Sequence, residues 1–286
     1  MQTLTLGAVA YDPKVVTIWE GFKSWFTDRD FPFDFVLYSN YERLVEGHLA
    51  GEVHVAWNSP LAWIETERAA VLLGKKARAV AMRDTDRDLT SVIVIRADSK
   101  IQAIGGLAGK GVAVGASDSP QATLIPLLLI AESGLRPGAD VSVERHDLLV
   151  GKHGDHVGGE REAARALIAG RVEAACMLDA NLLAFTQEGT LRPGSTRVLA
   201  QTPSYDHCNI TVLDDAPIDL IRRFVDLLLG MKYEDPVARP LLDLEGLKRW
   251  LPGRTEGYAR LNRAVDVFGT LDGWLARMKG RAGTNG

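Results

Sequence analysis

The sequence predicts a two-lobed α/β fold, each lobe a mostly parallel sheet flanked by helices. Short apolar runs alternate with amphipathic helical stretches three times before residue 70, and the alternation restarts at Gly111. Between the two series lie a charged stretch, residues 83–88, and a β-branched run, residues 90–95, that could carry the chain into a second lobe. With 286 residues, 46% of them hydrophobic, the chain has enough apolar material for one large or two ordinary cores.

The first strand is read over residues 4–10 and ends at the Asp12-Pro13 turn. In the helix that follows, Val15, Ile18, Trp19, Phe22, Trp25 and Phe26 recur at i, i+3, i+4, i+7, i+10 and i+11, which makes one buried face. A second pair joins a strand over 33–38 to a helix over 40–50. A third joins a strand over 53–57 to a helix over 60–68, where Pro60 suits the first helical position. Ligands of such sheets sit beyond the carboxyl ends of the strands, which singles out Tyr11, Tyr41, Asn58 and Ser59.

The second series comprises a strand over 111–114, a helix over 120–131, a strand over 141–146, a helix over 160–169 and a strand over 174–178. Ala163, Ala164, Leu167 and Ile168 share one face of the second of these helices. Residues 198–202 and 209–213 read as return strands. Only helices follow: Leu220, Ile221, Phe224, Leu227 and Leu228 form one apolar face, and residues 261–275 form another. The C-terminal helices are expected to complete the first lobe, giving residues 1–90 and 205–286 for one lobe and 91–204 for the other. The tail 281–286 reads as disordered.

Composition removes several function classes. A formal charge of −4 leaves no basic surface for a nucleic-acid backbone. Cys176 and Cys208 stand far apart without a CxxC, so no disulfide framework or zinc knuckle is expected. No run reaches the roughly 18 apolar residues of a membrane span, the nearest being residues 122–131. The first ten residues alternate as a strand does and show no signal-peptide pattern. The expected location is therefore cytoplasmic as the sequence stands, or periplasmic or at the cell surface if a leader has been removed. No G-x-S-x-G, Walker loop or H-E-x-x-H occurs, and no cofactor is expected.

A succession of motifs carries a resemblance. Ala8 with Tyr11-Asp12-Pro13, then Tyr38-Ser39-Asn40-Tyr41-Glu42-Arg43, then the run from Gly51 through Trp57-Asn58-Ser59-Pro60, are followed by Val112-Ala113-Val114-Gly115, Asp118-Ser119-Pro120-Gln121-Ala122-Thr123, and residues 159–175. This order resembles the phosphate/phosphonate ABC-transporter substrate-binding family, over about residues 3 to 230. The resemblance implies the type 2 periplasmic-binding-protein fold, with hinge crossings near Ser91 and Ser204 and a small molecule held in a cleft between lobes. An ABC-transporter permease is the implied macromolecular partner.

The ligand-binding residues expected on this reading are Tyr11, Tyr41, Trp57, Asn58, Ser59, Asp118, Ser119, Gln121, His153, Asp179 and His207. The turn before the helix at Pro120 offers helix N-terminal amides, with Ser119 as its cap. In the family this loop contributes hydroxyls and amides to phosphonate oxygens; here Pro120 removes a donor, Gln121 and Ala122 replace hydroxyl residues, and Asp118 adds a negative charge. Phosphate and methylphosphonate are accordingly expected to bind poorly. Tyr41 and Trp57 could wall an apolar or aromatic part of a ligand, Trp57 serving equally well in a core. Asp118 and Ser119 could instead only cap the helix. His153, Asp155, His156, Asp179, His207 and Cys208 could alternatively ligate a metal. In a second reading, a lyase- or decarboxylase-like enzyme would use His153 or His207 as general acid or base with Asp179 assisting. Cys176, inside an apolar strand, reads as a buried small hydrophobe.

Overall fold

A computed structural model describes residues 2–147 and 157–284. In chain order it runs β1 (Leu4–Val9), α1 (Lys14–Thr27), β2 (Phe33–Tyr38), α2 (Tyr41–Leu49), β3 (Val55–Asn58), α3 (Pro60–Leu72), β4 (Ala77–Arg83) and β5 (Ser91–Arg96). There follow β6 (Gly111–Val114), α4 (Ile125–Glu132), β7 (Ser142–Arg145), α5 (Val157–Ile168), β8 (Ala174–Leu178), α6 (Asp179–Gln187), β9 (Thr196–Gln201) and β10 (Asn209–Leu213). The chain closes with α7 (Ile218–Leu229), α8 (Arg239–Glu245), β11 (Trp250–Pro252), α9 (Ala259–Phe268) and α10 (Asp272–Thr284).

Two compact units result. The first takes Met1–Arg87, Asp206–Tyr258 and Leu271–Gly286, and the second takes Asp88–Tyr205 and Ala259–Thr270. The expected single face over residues 261–275 is thus divided. Gly269, at φ +61, turns the chain between α9 and α10 in a conformation costly for other residues. Phe268 packs on the core of the second unit, where Arg260 and Arg263 of α9 also reach Glu132 at 2.7 and 3.0 Å. The tail expected to be disordered continues α10 as far as Thr284.

The sheet of the first unit has the order β11-β4-β10-β3-β1-β2. Strand β1 pairs parallel with β2 and β3, whereas β10 pairs antiparallel with β3 and β4, and β11 antiparallel with β4. The carboxyl ends of β1, β2, β3 and β4 therefore share an edge with the amino ends of β10 and β11. One face is covered by an aromatic cluster in which Phe26 stands 4.7 to 5.4 Å from Phe31, Phe33 and Phe224. The other is covered by α2, α3 and α10 through Leu44, Ala62, Ala69, Trp274 and Met278.

The second sheet, β7-β6-β8-β5-β9, is likewise mixed. Strand β6 is parallel to β7 and β8, while β5 is antiparallel to β8 and β9. Most strands of each sheet run one way, as expected, and the exceptions are β10 and β11 in the first sheet and β5 in the second. Along β5, Val92 and Val94 face α5 and α6, and Ile93 and Ile95 face α4, as the two-residue period of a strand requires.

Candidate functional site

In the first unit the chemistry gathers at the edge where β4 ends and β10 begins. Arg83 closes β4, a single helical turn over Asp84–Asp86 follows, and His207 and Cys208 lead into β10. Backbone and side chain of Asp86 both hold the incoming segment: His207 N donates to Asp86 O at 2.8 Å and Cys208 N to Asp86 Oδ1 at 3.2 Å. Arg83 grips the same carboxylate as a fork, Nε to Oδ2 at 2.5 Å and Nη2 to Oδ1 at 2.9 Å. Its remaining Nη1 donates to the Glu245 carbonyl at 2.8 Å and lies 3.4 Å from Glu245 Oε1. Asp86 and Glu245 are buried.

The imidazole of His207 stands with Nδ1 3.1 Å from Cys208 Sγ and 3.3 Å from Asp86 Oδ1. Burial works against its charged form, but the neighbouring Cys208 and Asp86 outweigh that and push its pKa up to about 10. Burial likewise disfavours the Asp86 anion, yet the Arg83 guanidinium holds its pKa down at about 2. Glu245 goes the other way: desolvation exceeds the attraction of Arg83 and lifts it to about 7. The Tyr41 hydroxyl is raised by burial, with Cys208 and Tyr11 adding to the effect and Arg83 opposing it. Trp57 lies under the Arg83 guanidinium, 5.1 Å away, and meets Trp250 edge-on at 5.7 Å. It is 6% exposed and belongs to the core, the second of the two roles open to it from sequence.

Behind this edge runs a buried polar chain. Tyr258 Oη donates to His207 O at 2.6 Å and accepts from Asn209 Nδ2 at 2.8 Å; Thr211 Oγ1 donates to Asn209 Oδ1 at 2.6 Å. Asn58 Nδ2 ends the chain on Thr211 Oγ1 at 2.9 Å and Thr66 Oγ1 at 3.2 Å. The expected free donors at this turn are therefore committed to the core. Ser59 caps α3, its Oγ accepting from Ala62 N at 3.2 Å. Tyr11 is half-buried, with Lys14 Nζ 5.9 Å from its ring centre.

In the second unit the carboxyl ends of β6, β7, β8 and β9 meet the amino end of β5. Ser91 Oγ donates to Gln121 O at 2.6 Å and lies 2.6 Å from Tyr205 Oη, and Ser91 N donates to Thr202 Oγ1 at 2.9 Å. Burial raises the Tyr205 hydroxyl, so it stays protonated. The expected helix from Pro120 begins as a wide turn over Pro120–Leu124, in which Ile125 N reaches back to Pro120 O. Its amides are largely used within the turn: Ala122 N donates to Ser119 Oγ, and Thr123 N and Leu124 N donate to Ser119 O at 3.2 and 3.0 Å. Gln121 Oε1 and Thr123 Oγ1 are buried and have no hydrogen-bond partner among the described residues.

Asp179 opens α6, exposed, and its Oδ2 accepts from Thr90 Oγ1 at 2.7 Å; Gln201 Nε2 donates to the same hydroxyl at 2.8 Å. The buried Glu160 of α5 takes Leu178 N at 2.9 Å and Asn181 Nδ2 at 2.8 Å. Asp118 is half-buried. Cys176 is fully buried in β8, and burial pushes its thiol up to about 12. His153, Asp155 and His156 lie outside the described residues.

Of the metal-ligand set expected from sequence, His207 and Cys208 come together, while Asp179 belongs to the second unit. The third member of their cluster is Asp86, which sequence reasoning passed over as part of a charged connector. Its signal was the Arg83/Asp86 spacing of three. From sequence, Ser91 is marked only as the neighbourhood of a chain crossing, and Tyr205 not at all.

A sequence model of the family described as ABC transporter, phosphonate, periplasmic substrate-binding protein matches residues 10–258. No curated protein sequence matches the chain. Among solved structures, PhnD1 from Prochlorococcus marinus in complex with methylphosphonate is similar at TM-score 0.65 and 14% identity, over 93% of this chain and 98% of that one. A Xanthomonas citri protein bound to ATP matches at TM-score 0.65 and 14% identity, over 99% and 98%. The binding-protein component of a phosphonate ABC transporter from Pseudomonas aeruginosa matches at TM-score 0.60 and 13% identity, again over 99% and 98%. At these identities the structural likeness speaks to the fold.

Proposed function

The chain belongs to the family of periplasmic substrate-binding proteins of phosphonate ABC transporters, and on that premise we propose that its own ligand is a small polar metabolite carrying a hydrogen-bond donor, an amine or hydroxyl. One observation carries the choice. In the loop Asp118-Ser119-Pro120-Gln121-Ala122-Thr123 the amides of Ala122 and Thr123 turn back onto Ser119, while the side-chain oxygen Oε1 of Gln121 is buried without a donor among the described residues. The buried Thr123 hydroxyl in the same loop can answer a ligand's donor or acceptor, whereas Gln121 Oε1 can only accept, and an acceptor left dry costs about 1–3 kcal/mol until a donor reaches it. Neighbouring Ser91 and Tyr205 supply hydroxyls that both donate and accept.

The family is the small-molecule-binding component of ABC transporters, and an enzyme on the same fold finds no support in it. Delivery to a transporter permease, in the periplasm, is the role we assign to this chain from that membership. Among the described residues no helix is long and apolar enough to cross a membrane.

A thermal-shift screen of amines, amino acids, polyols, phosphate and methylphosphonate, followed by calorimetry, tests the reading. The expected hit carries a donor, and Gln121→Leu weakens it by about 1–3 kcal/mol, roughly 5- to 150-fold in Kd. Submicromolar binding of phosphate or methylphosphonate would overturn it.

A further inference from the structure

We propose that Asp86, His207 and Cys208 form a binding site for a borderline-soft divalent cation of the Zn2+ class. A carboxylate oxygen, a ring nitrogen and a sulfur from these residues all lie within 4.8 Å of one another. Nδ1 of His207 stands 3.1 Å from Cys208 Sγ and 3.3 Å from Asp86 Oδ1. Two ligands on one tetrahedral ion, bonded at about 2.0–2.3 Å, stand roughly 3.3–3.8 Å apart, so the His207–Asp86 spacing already suits a filled site and the His207–Cys208 spacing has to open by a few tenths of an ångström.

The donor types decide the ion. Sulfur and imidazole nitrogen with a single carboxylate suit Zn2+ or Co2+ and are poor partners for Mg2+ or Ca2+, which take oxygen shells. The frame is fixed before any ion arrives, because the backbone N–H groups of His207 and Cys208 are both bonded to Asp86. Arg83 and the Cys208 N–H hold the Asp86 carboxylate by both oxygens, which fixes it beside the His207 ring. The Arg83 fork then acts as the outer support that orients a ligating carboxylate.

Charge also closes. A divalent cation meets the Cys208 thiolate and the Asp86 carboxylate, with Arg83 shared between Asp86 and Glu245. On binding, the Cys208 thiol proton and any proton on His207 Nδ1 pass to solvent, so affinity rises with pH. Three protein ligands leave the fourth tetrahedral position to water or to an oxygen of a bound molecule.

Titration of the full chain with Co2+ tests this directly. A sulfur-to-cobalt charge-transfer absorption should grow to one ion per chain, disappear on adding Zn2+, persist in excess Mg2+, and weaken from about pH 8 to about pH 6. Cys208→Ser should erase the absorption, and Cys176→Ser should leave it unchanged. His207→Gln should weaken Zn2+ binding by more than the roughly 10–100-fold typical of losing an outer-shell partner. Absence of the absorption at saturating Co2+, or its survival in Cys208→Ser, would refute the site. Should Cys208→Ser fail to fold, unchanged Zn2+ affinity in His207→Gln refutes it independently.

Discussion

At the scale of single residues, the first unit is governed by a buried charge cluster whose members hold one another. Asp86 is 1% exposed and Arg83 answers it with two parallel hydrogen bonds, the geometry in which an arginine–carboxylate pair is strongest. Removing one partner strands the other. Asp86→Ala is expected to cost about 3–5 kcal/mol in denaturant unfolding, since Arg83 is left largely without its counter-charge and the His207 and Cys208 segment loses its side-chain anchor. A loss under about 1 kcal/mol would show that water enters and solvates the guanidinium. This cluster was only half legible in the sequence. His207 and Cys208 are marked by residue type alone as candidate ligands, whereas Asp86 is one more charge in the stretch 83–88. What selects it is the antiparallel entry of β10 between β3 and β4, a pairing between segments more than a hundred residues apart that no local pattern encodes. For Asn58 the sequence marks a polar strand end, whereas the pairing with β10 also brings Thr211 to its amide nitrogen.

At the scale of elements, local periodicity located most strands and helices within a few residues. β2, β6, β8 and β10 match the expected bounds, and the six apolar positions of α1 are all buried. Strand direction was less legible, because an apolar run has the same appearance whichever way it enters a sheet. So was the wide turn at Pro120, where proline and a cap mark a helix start without specifying its first hydrogen bond. The ends of β6 and β7 depend on a close approach by α5. A Cβ at Gly159 would lie 2.6 Å from His146 O and 3.3 Å from Ala116 N, both backbone atoms that cannot swing aside. Gly159→Ala should therefore force the first turn of α5 away from the loop after β6, destabilising the fold by roughly 1–3 kcal/mol. Gly158→Ala provides the control, since among the described residues its Cβ would meet nothing within 4 Å. Equal stability of the two variants, read as urea midpoints, would remove α5 as the element that buttresses this loop.

At the scale of the whole molecule, the buried titratable groups set opposing limits on stability. His48 is 1% exposed on α2, and desolvation lowers its pKa to about 4. Below its ordinary value of 6.5 the unfolded chain binds a proton that the folded chain refuses, so this contribution is complete above pH 6.5 and declines as pH falls toward 4, by about 3 kcal/mol in all. Asp86, held near 2, adds a further loss as pH falls below its ordinary 3.8. The other two groups act in the opposite sense. Glu245, raised from 4.5 to about 7, favours the folded state fully below pH 4.5, and that advantage fades as pH rises to 7. His207, raised from 6.5 to about 10, contributes fully below pH 6.5 and loses its contribution as pH climbs toward 10. Between pH 4.5 and 6.5 the slopes from His48 and Glu245 oppose each other, so a thermal-denaturation series should give a maximum in Tm within that window and a fall on both sides. Each limb has its own variant. His48→Leu should leave the Glu245 slope unopposed, so that Tm climbs as pH falls from 6.5 to 4.5 while the alkaline side stays intact, and His207→Gln should flatten the decline above pH 7 and leave the acid side intact. If Tm instead rose steadily to pH 8 and His207→Gln did not alter the curve, the imidazole would be neutral beside Asp86, and the charge assignment of the cluster would be wrong.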